Sequence, residues 1–178
     1  MYKRQLSDEN EVADAKKWME RARDIALEAK CLRARCGSVI VRDGRVIGSG
    51  YNAPAEYVVS SVHNMLSDEE KIKISARCHV SKESYHTKVT DKTCCIHAEQ
   101  NAILDALQKN PELLAGSRLY FARLSDDGKI SYAGKPYCTI CSKMTLVSGV
   151  KEFVLWHDAG ICVYDATEYN DLSYLFSE

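Results

Sequence analysis

Cys95-Ile96-His97-Ala98-Glu99-Gln100-Asn101-Ala102-Ile103, followed about forty residues later by Pro136-Tyr137-Cys138-Thr139-Ile140-Cys141, is the pair of stretches on which the reading of this chain turns. One histidine and two cysteines supply three metal ligands. A closed structural zinc site takes four, whereas three leave one tetrahedral position to water, the arrangement of a catalytic zinc. Both groups stand where the pattern predicts a helix to begin. Free backbone amides and the helix dipole there favour thiolate, the form that binds zinc. Zinc lowers the pKa of a bound water from 15.7 toward about 7. Glu99 follows His97 by two residues in the same first turn, within reach of such a water without ligating the metal, which is the placement of a general acid/base. Taken alone, Cys138-x-x-Cys141 also reads as half a structural zinc site or a redox pair, and His97 as a helix histidine with ordinary partners. The combination, in this order, points to catalysis.

Working outward, Ala98, Ala102, Ile103, Ala106 and Leu107 predict the buried face of a helix over 97–108 that Asn110-Pro111 ends. Upstream, the periodicity is weak across 53–92, although Ser67 and Glu70 form a capping box for a short helix to about residue 76. This stretch reads as an insertion over about 53–94. Before it, 38–41 and 45–50 flank Asp43-Gly44, a dipeptide suited to a tight hairpin turn. Val12, Ala15, Trp18, Met19, Ala22, Ile25, Ala26 and Ala29 recur at helical spacing, predicting an amphipathic helix over about 9–30 that Ser7 or Asp8 caps. Trp18 and Met19 read as core.

Downstream, 118–124 reads as a strand, and 125–137, containing Asp127-Gly128, as a hairpin insertion. A helix over 139–148 with Gly149 just past its end follows, then strands at 152–156 and 161–164 and a last helical stretch around 168–175. The order helix, two strands, helix, strand, helix, strand, strand predicts one α/β domain over 1–178: a three-layer α/β/α architecture on a mixed, roughly five-stranded sheet.

Composition narrows the function classes. A chain of 178 residues with 46% apolar content has enough material for one full core. The formal charge is −1 and the pI about 6.5, so no global field draws it to polyanions. No apolar run approaches the roughly 18 to 20 residues of a spanning helix, and Met1-Tyr2-Lys3-Arg4-Gln5 lacks the apolar run of a signal peptide. The expectation is a soluble cytoplasmic protein without membrane contact. Eight cysteines in such a chain argue for metal sites or reduced thiols over a disulfide framework.

The pattern His97-x-Glu99 with Pro136, Cys138 and Cys141 resembles the signature of the zinc deaminases. From about residue 29 to 156 the chain is similar to the cytidine and deoxycytidylate deaminase superfamily. The wording of 96–103, with Gly50-Tyr51-Asn52 after the second strand, is most similar to the deoxycytidylate deaminase branch. The resemblance implies a cytidine-deaminase-like fold and hydrolytic deamination of a free cytosine nucleotide, deoxycytidylate to deoxyuridylate. It implies a catalytic Zn²⁺ on His97, Cys138 and Cys141, proton transfer by Glu99, a sugar contact from Asn52 and a base contact from the backbone amide of Ala98, in a homo-oligomer. The chain departs from the family pattern in placing Tyr137 between Pro136 and the first cysteine, and in the length of 125–137.

Cys31, Cys78, His79, His86, Cys94 and Cys95 contain enough ligand types for a second, closed zinc site that would order the insertion. Unpaired thiols and exposed histidines are the plainer reading. By resemblance to deoxycytidylate deaminases with a structural zinc, the ligands are Cys31, Cys78, His86 and Cys95. Asn52, before Ala53-Pro54, also reads as a simple turn residue. Lys30, Arg33 and Arg35 read equally as contacts to a 5′-phosphate or as a solvated turn. Two other functions stay open: deamination of bases within RNA or single-stranded DNA, and a zinc-stabilised interaction module without turnover.

Overall fold

The Asp8 carboxylate accepts hydrogen bonds from the backbone of Asn10 and Glu11, and with that cap in place helix α1 runs Glu9–Ala26. The computed structural model describes residues 3–29, 31, 34–53 and 95–175. Helix α1 buries Ala15, Trp18, Met19, Ala22 and Ala26. It stops short of the residue 30 that periodicity predicts. Glu28 N–H bonds Ile25 O and Ala29 N–H bonds Ala26 O, so the chain tightens to a three-residue hydrogen-bonding step and leaves the helix.

The strands are β1 Lys3–Gln5, β2 Arg35–Arg42, β3 Arg45–Tyr51, β4 Arg118–Leu124, β5 Ile130–Ser131, β6 Glu152–His157 and β7 Gly160–Asp165. They form one mixed sheet in the order β1-β7-β6-β4-β2-β3, with β5 also paired to β4. Only β4 and β6 run parallel; the other pairs are antiparallel. Asp43 and Gly44 both take positive φ, 49° and 69°, as a two-residue hairpin turn between β2 and β3 requires. The sheet has seven strands where the sequence predicts about five. Both additional strands are short and carry no alternation of their own. The Lys3–Gln5 strand is defined by the exposed backbone edge of β7, and β5 by the end of β4.

Helix α1 covers one face. Helices α2 Ala98–Lys109, α3 Thr139–Val147 and α4 Ala166–Tyr174 cover the other, with a 3₁₀ turn at Pro111–Leu113. Trp18, Met19, Val39, Tyr120 and Val154 fill the first interface, and Ile40, Ile103, Leu119, Phe153 and Tyr169 the second. Glycines let the helices close on the strands. A Cβ on Gly37 would stand 2.2 Å from Ala22 O, and one on Gly50 2.5 Å from Ala102 N. On α2 the buried stripe is Ala98, Glu99, Ala102, Ile103 and Ala106. Leu107, predicted to be buried, is 46% exposed. It lies outside the buried stripe, one turn from the exposed Leu104. The capping box at Ser67 and Glu70 lies outside the described residues. Among the described residues no helix is long and apolar enough to cross a membrane.

Candidate active site and metal centre

Helix α2 lies along β3, with Ala106 against Gly48 and Ala102 against Gly50, so its first turn reaches the end of the sheet where β3 finishes and β2 starts. His97 is the N-cap of α2, in extended backbone geometry, and its N–H donates to Gln100 Oε1 at 2.9 Å. Gln100 Nε2 in turn reaches Met144 Sδ on α3 at 3.3 Å, tying the two helices together. Cys138 is the N-cap of α3, its sulfur accepting from Cys141 N–H at 3.3 Å. Two helix starts therefore meet at one end of the sheet, and the three predicted ligands meet with them.

His97 Nδ1 lies 3.2 Å from Cys141 Sγ and 3.4 Å from Cys138 Sγ, and all three ligand atoms fall within 4.8 Å of one another. Atoms held 2.3 Å (sulfur) and 2.0 to 2.1 Å (nitrogen) from a tetrahedral zinc stand about 3.5 Å apart. The three side chains fit that ion. The thiols respond to each other: the hydrogen bond with Cys141, helped by His97, holds the Cys138 thiol down at about 4, while the same bond and burial push Cys141 up. His97 is raised chiefly by its bond to Cys138. A thiolate and an imidazole already oriented at helix N-termini form a donor set for a divalent cation.

Glu99 is 6% exposed, the one charged residue buried among the described residues. Burial raises its proton affinity, opposed most strongly by the charge of His97, so a carboxyl that readily holds a proton stands beside the donor set. Cys36, on β2, shares that environment: burial first, then the Glu99 charge, pushes its thiol up to about 12. Tyr169 of α4 is shifted well up by burial and then by Glu99 and Cys141, which places it behind the site.

Asn52 is buried, and its side chain closes β3 onto β2: Oδ1 accepts from Cys36 N–H at 2.7 Å and Nδ2 donates to Ala34 O at 2.9 Å. Ala98 is the first residue of α2 and fully buried. Cys95 is buried and Cys31 half-buried; Cys78 and His86 lie outside the described residues. Lys30 and Arg33 also lie outside them. Arg35 alternates with Gly37, and so points to the α1 face, away from the metal ligands. Sequence reasoning did not single out Gln100 or Cys36. The spacing of Gln100 from His97, a capping-box spacing, was readable; nothing in the sequence marked Cys36.

A model of the cytidine and deoxycytidylate deaminase zinc-binding region matches residues 12–157. The chain is 28% identical over 137 residues to the deoxycytidylate deaminase of Schizosaccharomyces pombe, covering 77% of this chain but only 35% of that protein. It is also 28% identical over 180 residues to the deoxycytidylate deaminase of Enterobacteria phage T2, covering 82% of this chain and 88% of the phage protein. The chain thus spans about a third of the yeast relative and most of the phage one. The dCMP deaminase of cyanophage S-TIM5, solved in complex with dCMP and dUMP, shares the fold with a TM-score of 0.53 at 19% identity, over 83% of this chain and 81% of that one. With the match covering most of its length and falling on a three-ligand cluster beside a buried carboxylate, the chain belongs to the cytidine and deoxycytidylate deaminase zinc-binding family.

Proposed function

We propose that this protein is a zinc-dependent hydrolytic deaminase of a free cytosine nucleotide, turning deoxycytidylate and water into deoxyuridylate and ammonia. The observation that carries this reading is the convergence of His97, Cys138 and Cys141 on one point beside buried Glu99, in a family whose relatives are deoxycytidylate deaminases. His97, Cys138 and Cys141 hold the ion, which when bound supplies the Lewis acidity that brings the pKa of water toward about 7. Glu99 does the proton work. Its carboxylate takes a proton from water as the water oxygen bonds to the amino-bearing ring carbon, and delivers that proton to the adjacent ring nitrogen. It then transfers the second water proton to the amino group as the carbon–nitrogen bond breaks and ammonia leaves. Burial suits Glu99 to this, because a raised proton affinity lets it carry a proton between the two steps.

The amide of Asn52 keeps one N–H and one oxygen lone pair beyond its two bonds to β2, enough to meet a sugar hydroxyl. We assign the backbone amide of Ala98 to the base carbonyl. We read 1–178 as one domain with insertions at about 53–94 and 125–137, the first tied down by a structural zinc on Cys31, Cys78, His86 and Cys95. Two zinc ions per chain in purified protein support that second site; one per chain, with the insertion equally resistant to protease before and after Cys78→Ala, contradicts it. The thiols of Cys31, Cys36, Cys138 and Cys141 suit a reducing cytoplasm. Exposed Leu104, Leu107, Ile140, Val147 and Leu175 on the α2–α4 side suit a homo-oligomer.

An ammonia-release screen with cytosine, cytidine, deoxycytidine, their monophosphates, adenosine, guanine and a short cytosine-containing oligonucleotide tests the function. Release from deoxycytidylate above all others is expected. Release from the oligonucleotide alone would make the protein a nucleic-acid deaminase, and release from none, with zinc bound, an interaction module.

A further inference from the structure

We propose that Arg123 is the seat of the substrate's 5′-phosphate, an inference that rests on the nucleotide reading above. On β4, Leu119 and Phe121 pack with α2 and α3, while Tyr120 and Ala122 pack under α1. Alternation therefore puts Arg123 on the face that carries the metal ligands. Arg123 pairs directly with Cys36 across the β2–β4 ladder. Direct antiparallel partners share a face, with Cβ atoms about 4.5 to 5.5 Å apart. Cys36 itself is the neighbour of Glu99 and of Asn52, whose side chain accepts from its backbone N–H. The strand order β4-β2-β3 thus sets out, across one end of the sheet, Arg123, then Cys36, then Asn52.

Position and charge together mark this arginine: Arg21, Arg35 and Arg45 also lack an ion pair among the described residues, but of these four only Arg123 stands on the ligand face at this end of the sheet. Arg4, Arg23, Arg42 and Arg118 each hold a carboxylate, at 2.6 to 3.3 Å. Arg123 is exposed and, among the described residues, has no ion-pair partner; its charge acts on the Cys36 thiol. Three protein ligands with two thiolates cancel the charge of a zinc ion, and Glu99 adds a negative one, so among the described residues nothing else at the site offsets a dianionic phosphate. A guanidinium presents a planar fork that fits phosphate oxygens two at a time. Arg35, the other arginine at this end of the sheet within the described residues, points to the opposite face by the same alternation.

The test compares kcat/KM for deoxycytidylate with kcat/KM for deoxycytidine in the wild type, Arg123→Gln, Arg123→Lys and the control Arg45→Gln, an exposed arginine at the far hairpin. The wild type is expected to prefer the phosphorylated substrate. Arg123→Gln should cut that preference at least tenfold, through KM for deoxycytidylate, Arg123→Lys should cut it less, and Arg45→Gln should keep it. A wild type indifferent to the phosphate overturns the nucleotide reading itself. A wild-type preference that survives intact in Arg123→Gln, or equal losses on both substrates, overturns the assignment of Arg123 alone.

Discussion

The two faces of the sheet are packed alike and differ at one end. Helix α1 crosses its face side-on, presenting Trp18, Met19 and Ala22, and its own backbone groups are spent along its length. Over the other face Ile103, Leu119 and Phe153 make an equally apolar core, but α2, which runs along β3, and α3 both begin at the sheet's end. Their N-termini bring unspent amides, a favourable dipole and the N-cap side chains His97 and Cys138 together. The lesson is that the side of a helix holds a fold and the start of a helix holds chemistry. Substitutions on the two faces should therefore separate stability from function.

The sharpest separation is expected from Cys141→Ala. It removes one of three zinc ligands from a buried position, so metal analysis should find the catalytic zinc lost and activity reduced to background while the circular dichroism of the helices persists. A full zinc complement in that variant would mean the ligands are wrongly assigned. Met19→Ala, on the α1 face, should do the opposite. Truncating a 1% exposed methionine costs about 2 to 5 kcal/mol in chemical denaturation. Zinc content and kcat, measured well below the unfolding transition, should stay at wild-type values; a fall in kcat would show that the faces are coupled. Asn52→Ala should fall between the two. It strands the Cys36 N–H, costing about 1 to 3 kcal/mol, and should also raise KM. A stability loss with KM unchanged would leave Asn52 as a turn residue only.

Much of this was legible in the sequence, for reasons that differ by region. The long periodic stretch of α1, the Asp43-Gly44 turn and the cluster of His97, Cys138 and Cys141 could be read because each is a local signal: a spacing, a dipeptide, a motif. What the sequence withheld depends on partners distant along the chain. The Lys3–Gln5 strand exists because β7 offers it an edge, and Leu107 is exposed because the packing of α2 buries Ala102, Ile103 and Ala106 instead. Likewise Cys36 comes under the charge of Glu99 through the packing of α2 on β2, and Arg123 stands beside Cys36 through the register of β2 against β4, which no spacing in the sequence encodes. Half of the proposed second metal site, Cys78 and His86, lies outside the described residues, and that proposal stands on resemblance.

The central claim is that Glu99 moves protons and does not hold metal. Glu99→Gln keeps the shape of the side chain and removes its ability to carry a proton. Zinc content and deoxycytidylate turnover, measured together on this variant, test the claim most directly. The account predicts zinc equal to wild type with kcat lowered on the order of a hundredfold or more. Turnover at the wild-type rate, or zinc lost along with activity, would contradict it.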